Sequence, residues 1–229
     1  MIDWSNENAG FLGLILFIAT IVMGWVSGIF KALRRRPKFV FSLNQGPTFT
    51  CTYETERKHN NQPTHRTAIA LYIKLKNVGS APSSISKVKV GYHNYSFKYS
   101  FFWFWLDSVP ALCDFGHTVG ENIRIFPFLM QPSAIGPYNT DTYLLEGKEI
   151  NGVVYFEQEE SFGSFFPKKD KNGLVKIKVA ICDAFGKKYS KKFKINNIEL
   201  ARARKFNPEF GNFLENLRSK EIEEWKVFK

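Results

Sequence analysis

Cysteine and histidine are scarce in this chain of 229 residues, which has three cysteines and four histidines. A sparse, odd set of cysteines does not provide the disulfide framework of a small exported protein. Cys113 and His117 form the nearest metal-like pair, and no second pair at ligand spacing accompanies them. The sequence also lacks a phosphate loop, a nucleophile elbow and a glycine-rich dinucleotide motif. It therefore predicts no cofactor, no metal and no enzyme.

Acidic residues are too few to balance the basic ones, since 32 Lys and Arg stand against 21 Asp and Glu and give a formal net charge of +11. Ten lysines but only two aspartates lie between Lys168 and Lys194. In a strand, residues two apart point to the same face of the sheet. This spacing predicts a basic outer patch made of Lys176, Lys178, Lys188, Lys192 and Lys194.

Three interpretations of this basic patch stay open. The favoured one is a solvated face whose lysines keep a sheet edge from pairing with other chains. Anionic lipid headgroups come second, at up to about 1 kcal/mol per basic residue near a membrane surface. Nucleic acid comes third, because the patch has lysine but neither the arginine nor the stacking aromatics of proteins that read bases.

One long apolar run is present, residues 10–30, and it carries no charged side chain. A helix of that length, at about 1.5 Å per residue, spans the roughly 30 Å hydrocarbon core of a bilayer. A cleavable signal peptide would have a basic start and a shorter apolar core, whereas the leading residues here include Asp3 and Glu7. The run therefore predicts an uncleaved transmembrane helix over residues 10–33.

The charges that flank this helix predict its orientation. Basic residues follow the apolar run at once and continue through residues 34–38, which we call the juxtamembrane segment. These basic residues are Lys31, Arg34, Arg35, Arg36 and Lys38. Lys and Arg next to a membrane helix stay on the cytoplasmic side. We therefore expect the short tail, residues 1–9, to be extracytoplasmic and residues 31–229 to be cytoplasmic.

Small residues recur every four positions along one face of the predicted helix, at Thr20, Gly24, Gly28 and Ala32. Such a face lets two membrane helices approach closely, so one interpretation is a helix-packing seam for a homo-oligomer. The other, which is favoured, is that glycine is simply frequent in membrane helices.

Residues 38–200 have the pattern of a mainly β domain. Ile69, Leu71, Ile73 and Leu75 alternate with more polar residues, and this period of two is that of a half-buried strand. Residues 183–186 separate two further strand-like segments and predict a hairpin. The chain is 44% hydrophobic and has 23 phenylalanines, which is enough for one substantial core.

Three stretches, residues 75–85, 135–144 and 179–189, resemble turns and strands of immunoglobulin-like β-sandwich domains. The layout also resembles that of small single-pass bacterial membrane proteins, which place such a domain directly after an Arg-Arg-Pro segment, here residues 35–37. The resemblance implies an antiparallel sandwich over about residues 37–200 in a protein of the bacterial inner membrane. It brings no catalytic residue.

An aromatic-rich stretch, residues 101–137, is too long for an ordinary connection and predicts an insertion in the domain. Alternating aromatics that end at Trp103 and Trp105 stand on one face of an extended segment. They either dip into a membrane interface, where amphipathic rings are favoured, or build a second small core with residues 109–112 and 123–130. The core is favoured, because large aromatic side chains most often serve that purpose.

The spacing of apolar residues changes near the C-terminus from the period of a strand to that of a helix. Residues 207–209, Asn-Pro-Glu, are a helix start signal, and apolar residues such as Phe213, Leu217 and Trp225 follow at mostly helical spacing. An amphipathic helix is therefore predicted over residues 206–229. Its polar face carries both signs of charge, unlike a membrane-surface helix, so its apolar face is expected to pack on its own domain or, as the alternative, in a partner's groove.

Three functional hypotheses follow. The first is a non-enzymatic, membrane-anchored binding or scaffold module whose cytoplasmic domain recruits a protein partner at the inner leaflet. Its contacts with a partner or membrane are assigned to Trp103, Trp105, Phe213, Leu217 and Trp225. The second is an oligomerising membrane effector or sensor of the phage-exclusion or defence type, which would use the helix-packing seam. The third, an enzyme, ranks last.

The enzyme hypothesis would require a site within the predicted insertion. Cys113 would be the nucleophile and His117 the base. The acidic residues near them are Asp107 and Asp114. These four side chains would have to converge in a pocket.

Overall fold

The structure, a computed structural model, describes residues 8–29, 35–94, 102–111, 113–130 and 142–219. In these residues it has helix α1 (Ala9–Val26), a short helix α2 (Leu200–Ala203), a helix α3 over residues 213–219, and twelve strands. The strands are β1 (Phe39–Leu43), β2 (Phe49–His59), β3 (Gln62–Asn77), β4 (Ser83–Tyr92), β5 (Phe104–Val109), β6 (Phe115–Val119), β7 (Asn122–Phe126), β8 (Tyr143–Leu144), β9 (Glu149–Glu157), β10 (Ser161–Phe162), β11 (Leu174–Asp183) and β12 (Lys188–Asn197).

Helix α1 is apolar along its length, and the rest of the protein buries none of its residues. It is the one helix in the described ranges that is long and apolar enough to cross a membrane, a property that membrane anchors share with signal sequences. The helix ends at Val26, before Gly28 with its φ of 74°, and residues 30–33 of the predicted helix lie outside the described residues. A left-handed residue of this kind commonly terminates a helix.

Ten strands form one sheet that closes on itself. The neighbours run in the order β1-β3-β2-β12-β11-β4-β5-β9, and β9 pairs back with β3 over nine residue pairs. The short strand β8 pairs with β4, and the short strand β10 pairs with β3. The pairs are antiparallel apart from β2 with β12. Strands β6 and β7 form a separate hairpin.

This closed, barrel-like sheet differs from the immunoglobulin-like sandwich expected from the sequence, in which two separate sheets face each other. One reason is that β3, at 16 residues, pairs with β9 along one edge and with β1 and β2 along the other. A second is that β5, which the sequence places in an insertion, joins the sheet between β4 and β9. The prediction of a mainly β domain between an apolar N-terminal helix and a C-terminal helix is confirmed.

Alternate residues of the strands fill the interior of the barrel. Ile69, Leu71, Ile73 and Leu75 of β3 are fully buried there, on the face that their alternation predicted. Burial of each such side chain contributes about 1.5–3 kcal/mol relative to leaving it exposed. The interior is therefore a packed core.

A second, outer core covers the opposite face of β2, β3 and β9. Phe49 of β2 and Tyr155 of β9 are buried there, beneath the β6–β7 hairpin and the C-terminal segment. Phe210 and Phe213 meet the Tyr155 ring edge to face, with centroids 5.3 and 4.7 Å away. A strand that is covered on both faces has apolar side chains at nearly every position, so its sequence is an almost continuous apolar run.

Candidate functional site

The basic patch predicted from the sequence lies on the outer face of the barrel, where β12, β11, β4 and β5 run side by side. The register places Lys178 between Lys192 and Gly91. Gly91 in turn lies opposite Trp105. We call this surface the Lys/Trp face; its members are Trp103, Trp105, Lys176, Lys178, Lys188, Lys192 and Lys194. The fold thus joins two groups of residues that the sequence places far apart.

Gly91 makes room for the two indole rings. A Cβ at this position would lie 3.1 Å from the Trp105 ring and 3.3 Å from the Cβ of Trp103. Trp103 also packs against the imidazole of His93, with ring centroids 4.0 Å apart. Both tryptophans are half-buried, so these rings rest on the sheet rather than project from it.

Lysine ammonium groups surround the two indoles. Lys188 Nζ lies 4.5 Å from the Trp105 ring centroid, and Lys192 Nζ lies 5.8 Å from that of Trp103. Lys178 Nζ lies 6.0 Å from both rings. Each such cation–π contact stabilises an exposed pair by about 0.5–1 kcal/mol. The contacts hold positive charge over the rings.

Few carboxylates neutralise this face. Asp107 lies 3.2 and 3.0 Å from the ammonium groups of Lys87 and Lys89, and Asp170 lies 2.9 Å from that of Lys194. Burial raises the pKa of Asp107, but hydrogen bonds from the two lysines outweigh it and hold that pKa below its ordinary value. Four lysines form no ion pair within the described part of the chain: Lys176, Lys178, Lys188 and Lys192.

The C-terminal segment packs on its own domain, which was the favoured interpretation. Phe213 is fully buried in the outer core, so its assignment as a partner contact is wrong. Leu217 is half-buried on α3, and Trp225 lies outside the described residues. The helix starts at residue 213 instead of 206, because the turn that begins at Asn207, whose Oδ1 accepts from the amide of Glu209 at 3.0 Å, ends at Gly211 with a φ of 90°. Asn207 Nδ2 also donates to Cys113 O at 2.8 Å.

A buried carboxylate, that of Glu157, holds the start of α3. Its Oε2 accepts hydrogen bonds from Tyr155 Oη at 2.9 Å and from the amide of Leu214 at 3.2 Å. Arg66 Nη1 lies 3.9 Å from Glu157 Oε1 and 3.0 Å from Glu215 Oε2. Burial raises the pKa of Glu157, and these donors offset part of that effect. The cluster fixes the outer core in place.

The structure describes three of the four residues of the predicted helix-packing seam. Thr20 and Gly24 lie within α1, and Thr20 Oγ1 donates to Leu16 O at 2.8 Å. Gly28 follows the end of the helix in a left-handed conformation and does not continue their face by another turn. Ala32 lies outside the described residues.

The juxtamembrane residues are described in part. Arg35, Arg36 and Lys38 are exposed, whereas Lys31 and Arg34 lie outside the described residues. The exposed three precede β1 and stay near the barrel, because the backbones of residues 36 and 38 hydrogen-bond to it.

Each of the four residues of the enzyme hypothesis either has another partner or is exposed. Cys113 Sγ donates to Asn207 Oδ1 at 3.1 Å, and burial raises the pKa of this thiol. His117 stacks on a phenylalanine ring 5.0 Å away, Asp107 is engaged by lysines of β4, and Asp114 is exposed. In the ranges that the structure covers, no three metal-binding side chains form a group.

Comparison with known proteins leaves the family open. No protein-family model matches the chain, and no curated protein matches it. Among solved structures, a Bordetella pertussis protein described as ApaA aligns with 71% of this chain and 96% of its own, at 8% identity and a TM-score of 0.29. A TM-score this low establishes no shared fold.

Proposed function

We propose that this protein is a membrane-anchored, non-enzymatic binding module whose barrel recruits an acidic protein partner at the cytoplasmic surface of a bacterial inner membrane. In this proposal α1 is the anchor, and the basic residues that follow it set the cytoplasmic side. The observation that carries the proposal is the Lys/Trp face, because four of its ammonium groups have no carboxylate partner in the described residues.

An acidic segment of a protein suits this face in length and in charge. Along β11 the face extends from Lys176 to Cys182, which is about 20 Å of strand. An extended segment of about six residues covers that distance. Its carboxylates would meet ammonium groups held over an apolar base of two indoles, and complementary charge of this kind speeds association and fixes register.

Nucleic acid suits the same face less well. Single-stranded bases bind by stacking on free aromatic faces. Here the indole faces already have the ammonium groups of Lys178, Lys188 and Lys192 within 4.5–6.0 Å. A base would have to displace them.

The test is a binding titration with full-length protein in lipid nanodiscs and a fluorescent peptide of alternating Glu and Tyr as the probe. We expect saturable binding that weakens as salt rises, because exposed charges are screened. The double variant Lys178→Glu with Lys192→Glu places two repulsive charges in the centre of the face. It is expected to lower the affinity by more than about tenfold, or 1.4 kcal/mol.

The matched control reverses two charges elsewhere, with Lys58→Glu and Lys205→Glu, both of which alter exposed residues outside the face. It is expected to bind the peptide nearly as the native protein does. An equal loss of affinity in both double variants would show that the peptide responds only to the net charge of the protein, which would overturn the proposal. A single-stranded oligonucleotide that bound more tightly than the peptide would do the same.

A further inference from the structure

The barrel has one end at which the chain arrives from α1. We call it the entry end; it comprises residues 35–38, 77–84, 143–149 and 183–188. The amide of Ser80 donates to Arg36 O at 3.1 Å, which binds the arriving chain to the turn after β3. The amide of Ala184 donates to Ser84 O at 3.0 Å, which adds the β11–β12 turn to the same end.

Asn77 joins these segments. Its side chain is fully buried, and its Oδ1 accepts hydrogen bonds from the amides of Lys38 at 3.2 Å and Gly79 at 3.0 Å. Its Nδ2 donates to Ala81 O at 2.8 Å and Leu144 O at 3.2 Å. Residues 36–38 of the juxtamembrane segment are thus part of the folded barrel instead of a free linker.

Gly79 shows how closely that segment is fitted. A Cβ at this position would lie 2.3 Å from the backbone nitrogen of Lys38 and 2.4 Å from Arg36 O. Backbone atoms at such distances cannot move aside easily, so the close approach requires glycine. The position of residues 36–38 against the barrel is therefore well determined.

Chain length places the entry end near the membrane if α1 spans it. Val26, the last residue of α1, and Arg35 are nine residues apart, and nine residues extend over about 32 Å at most. The opposite end of the barrel, where Phe162 lies opposite Thr64, is thirteen residues further along β3 from Asn77, or about 40 Å. The two ends are far enough apart to be distinguished by experiment.

The exposed side chains of the entry end match the surface of an anionic leaflet. The Phe185 ring is 75% exposed at the tip of the β11–β12 turn, and Leu145 and Val78 are exposed at neighbouring turns. Basic residues outnumber acidic ones around these apolar tips: Arg35, Arg36, Lys38, Lys187 and Lys188 are exposed, as are Glu146 and Glu149, and Glu149 pairs with Lys74. Aromatic rings favour the headgroup layer, and basic groups favour anionic lipids.

We propose that the entry end rests on the anionic headgroups of the membrane, with the Phe185 ring inserted among them. This inference rests on the anchoring role proposed for α1, but not on the identity of any partner. The strands then stand upright on the leaflet, because they run from the entry end to the opposite end. The Lys/Trp face consequently points sideways and is open to a partner alongside the membrane.

The test uses the full chain in nanodiscs of phosphatidylcholine, with or without phosphatidylglycerol. The photocrosslinker p-benzoylphenylalanine replaces Phe185 in one sample and Phe162, an exposed ring at the opposite end, in the control. We expect lipid adducts by mass spectrometry from position 185 and none from position 162. The yield should rise several-fold with phosphatidylglycerol and fall again with Lys187→Glu, since that variant removes a positive charge beside the ring.

Two results would overturn the proposal in distinguishable ways. In the first, the protein remains in the nanodisc fraction after an alkaline wash but gives no lipid adduct at position 185, or gives equal adducts at both positions. Such a protein is anchored but does not rest on its entry end. Protein that the wash releases from the lipid shows that α1 is not an anchor, and the proposed function fails with it. Far-UV circular dichroism confirms that each variant is folded.

Discussion

Glu157 is a carboxylate that the fold buries completely; its Oε2 accepts two hydrogen bonds, and its Oε1 lies 3.9 Å from Arg66 Nη1. Its side chain is 0% exposed, and its partners include Tyr155, the amide of Leu214 and the guanidinium of Arg66. Burial disfavours the charged form, while the donors and the N-terminus of α3 favour it. The balance leaves its pKa above the ordinary value.

Stability should therefore depend on pH through this residue. Because the pKa of Glu157 is higher in the folded than in the unfolded chain, its contribution is fully present below the ordinary pKa of about 4.5 and is lost as pH rises through the folded-state pKa. Glu157→Gln does not titrate. The free energy of unfolding of the native protein, relative to that of the variant, should fall across this window in urea titrations in detergent.

The control for this prediction is Glu159→Gln, which changes a carboxylate that is 69% exposed. Its unfolding free energy should follow the native pH profile closely. If the unfolding free energies of the native protein and of Glu157→Gln changed in parallel with pH, Glu157 would not be the source of the pH dependence.

Among the elements, β3 does most to organise the molecule. Its 16 residues form the wall shared by the interior and the outer core, and it pairs with β1, β2, β9 and β10. At its end, Asn77 satisfies four backbone groups that belong to three segments. One side chain therefore substitutes for sheet pairing where the strand stops.

Asn77→Ala should release the juxtamembrane segment from the barrel. Each buried donor or acceptor left without a partner costs about 1–3 kcal/mol, so we expect a loss of at least about 2 kcal/mol in the free energy of unfolding. Trypsin should also cleave faster after Lys38, as followed by mass spectrometry. Asn77→Asp keeps the two accepted bonds but turns a buried carboxylate oxygen toward the carbonyls of Ala81 and Leu144, so it should destabilise the protein at least as much. Asn172→Ala alters an exposed loop and should change neither measurement. Unchanged cleavage in the alanine variant would contradict this role.

The whole molecule depends on two cores that share their wall. The outer core is closed by the C-terminal segment, in which Phe210 and Phe213 are fully buried. Neither core includes α1, since no residue of that helix is buried. The stability of the barrel should thus be separable from the helix but not from the C-terminal segment.

A chain that ends after Asn197 should lose most of its stability. Removal of Phe210 and Phe213 uncovers Phe49 and Tyr155, and each large aromatic lost from a core costs about 3–5 kcal/mol. We expect the midpoint of thermal unfolding to fall by more than about 10 °C and the dye anilinonaphthalene sulfonate to bind. A chain that ends after Ser219 retains both rings and serves as the control. Equal midpoints for the two chains would show that the outer core is not needed.

Several local features could be predicted from the sequence, because they depend on neighbours along the chain. The alternation at residues 69–75 predicted which side chains of β3 face the interior, and residues 183–186 predicted the β11–β12 turn. The parity of the lysines predicted that they share an outer face. These signals are periodicities of two and turn residues, and they need no tertiary contact.

Other features depend on residues that are distant in sequence. Glu157 and Leu214 are 57 positions apart, and Asn77 and Lys38 are 39 apart. No local pattern shows that these pairs meet. The start of α3 at residue 213 is a further example, because the turn that Asn207 caps ends at Gly211, which has a φ of 90° and packs so closely on Tyr53 of β2 that a Cβ there would lie 2.6 Å from its Oη.

The sequence by itself determined an apolar helix at the start, a β domain of alternating strands, and an excess of lysine near its end, since each follows from composition and local period. Only the tertiary structure decided that the sheet closes, that Trp103 and Trp105 lie among the lysines, and that the juxtamembrane segment is fixed to the barrel. The physical reason is that a sheet is specified by pairings across the chain. The free energy of those pairings comes from two cores that form only when distant strands meet.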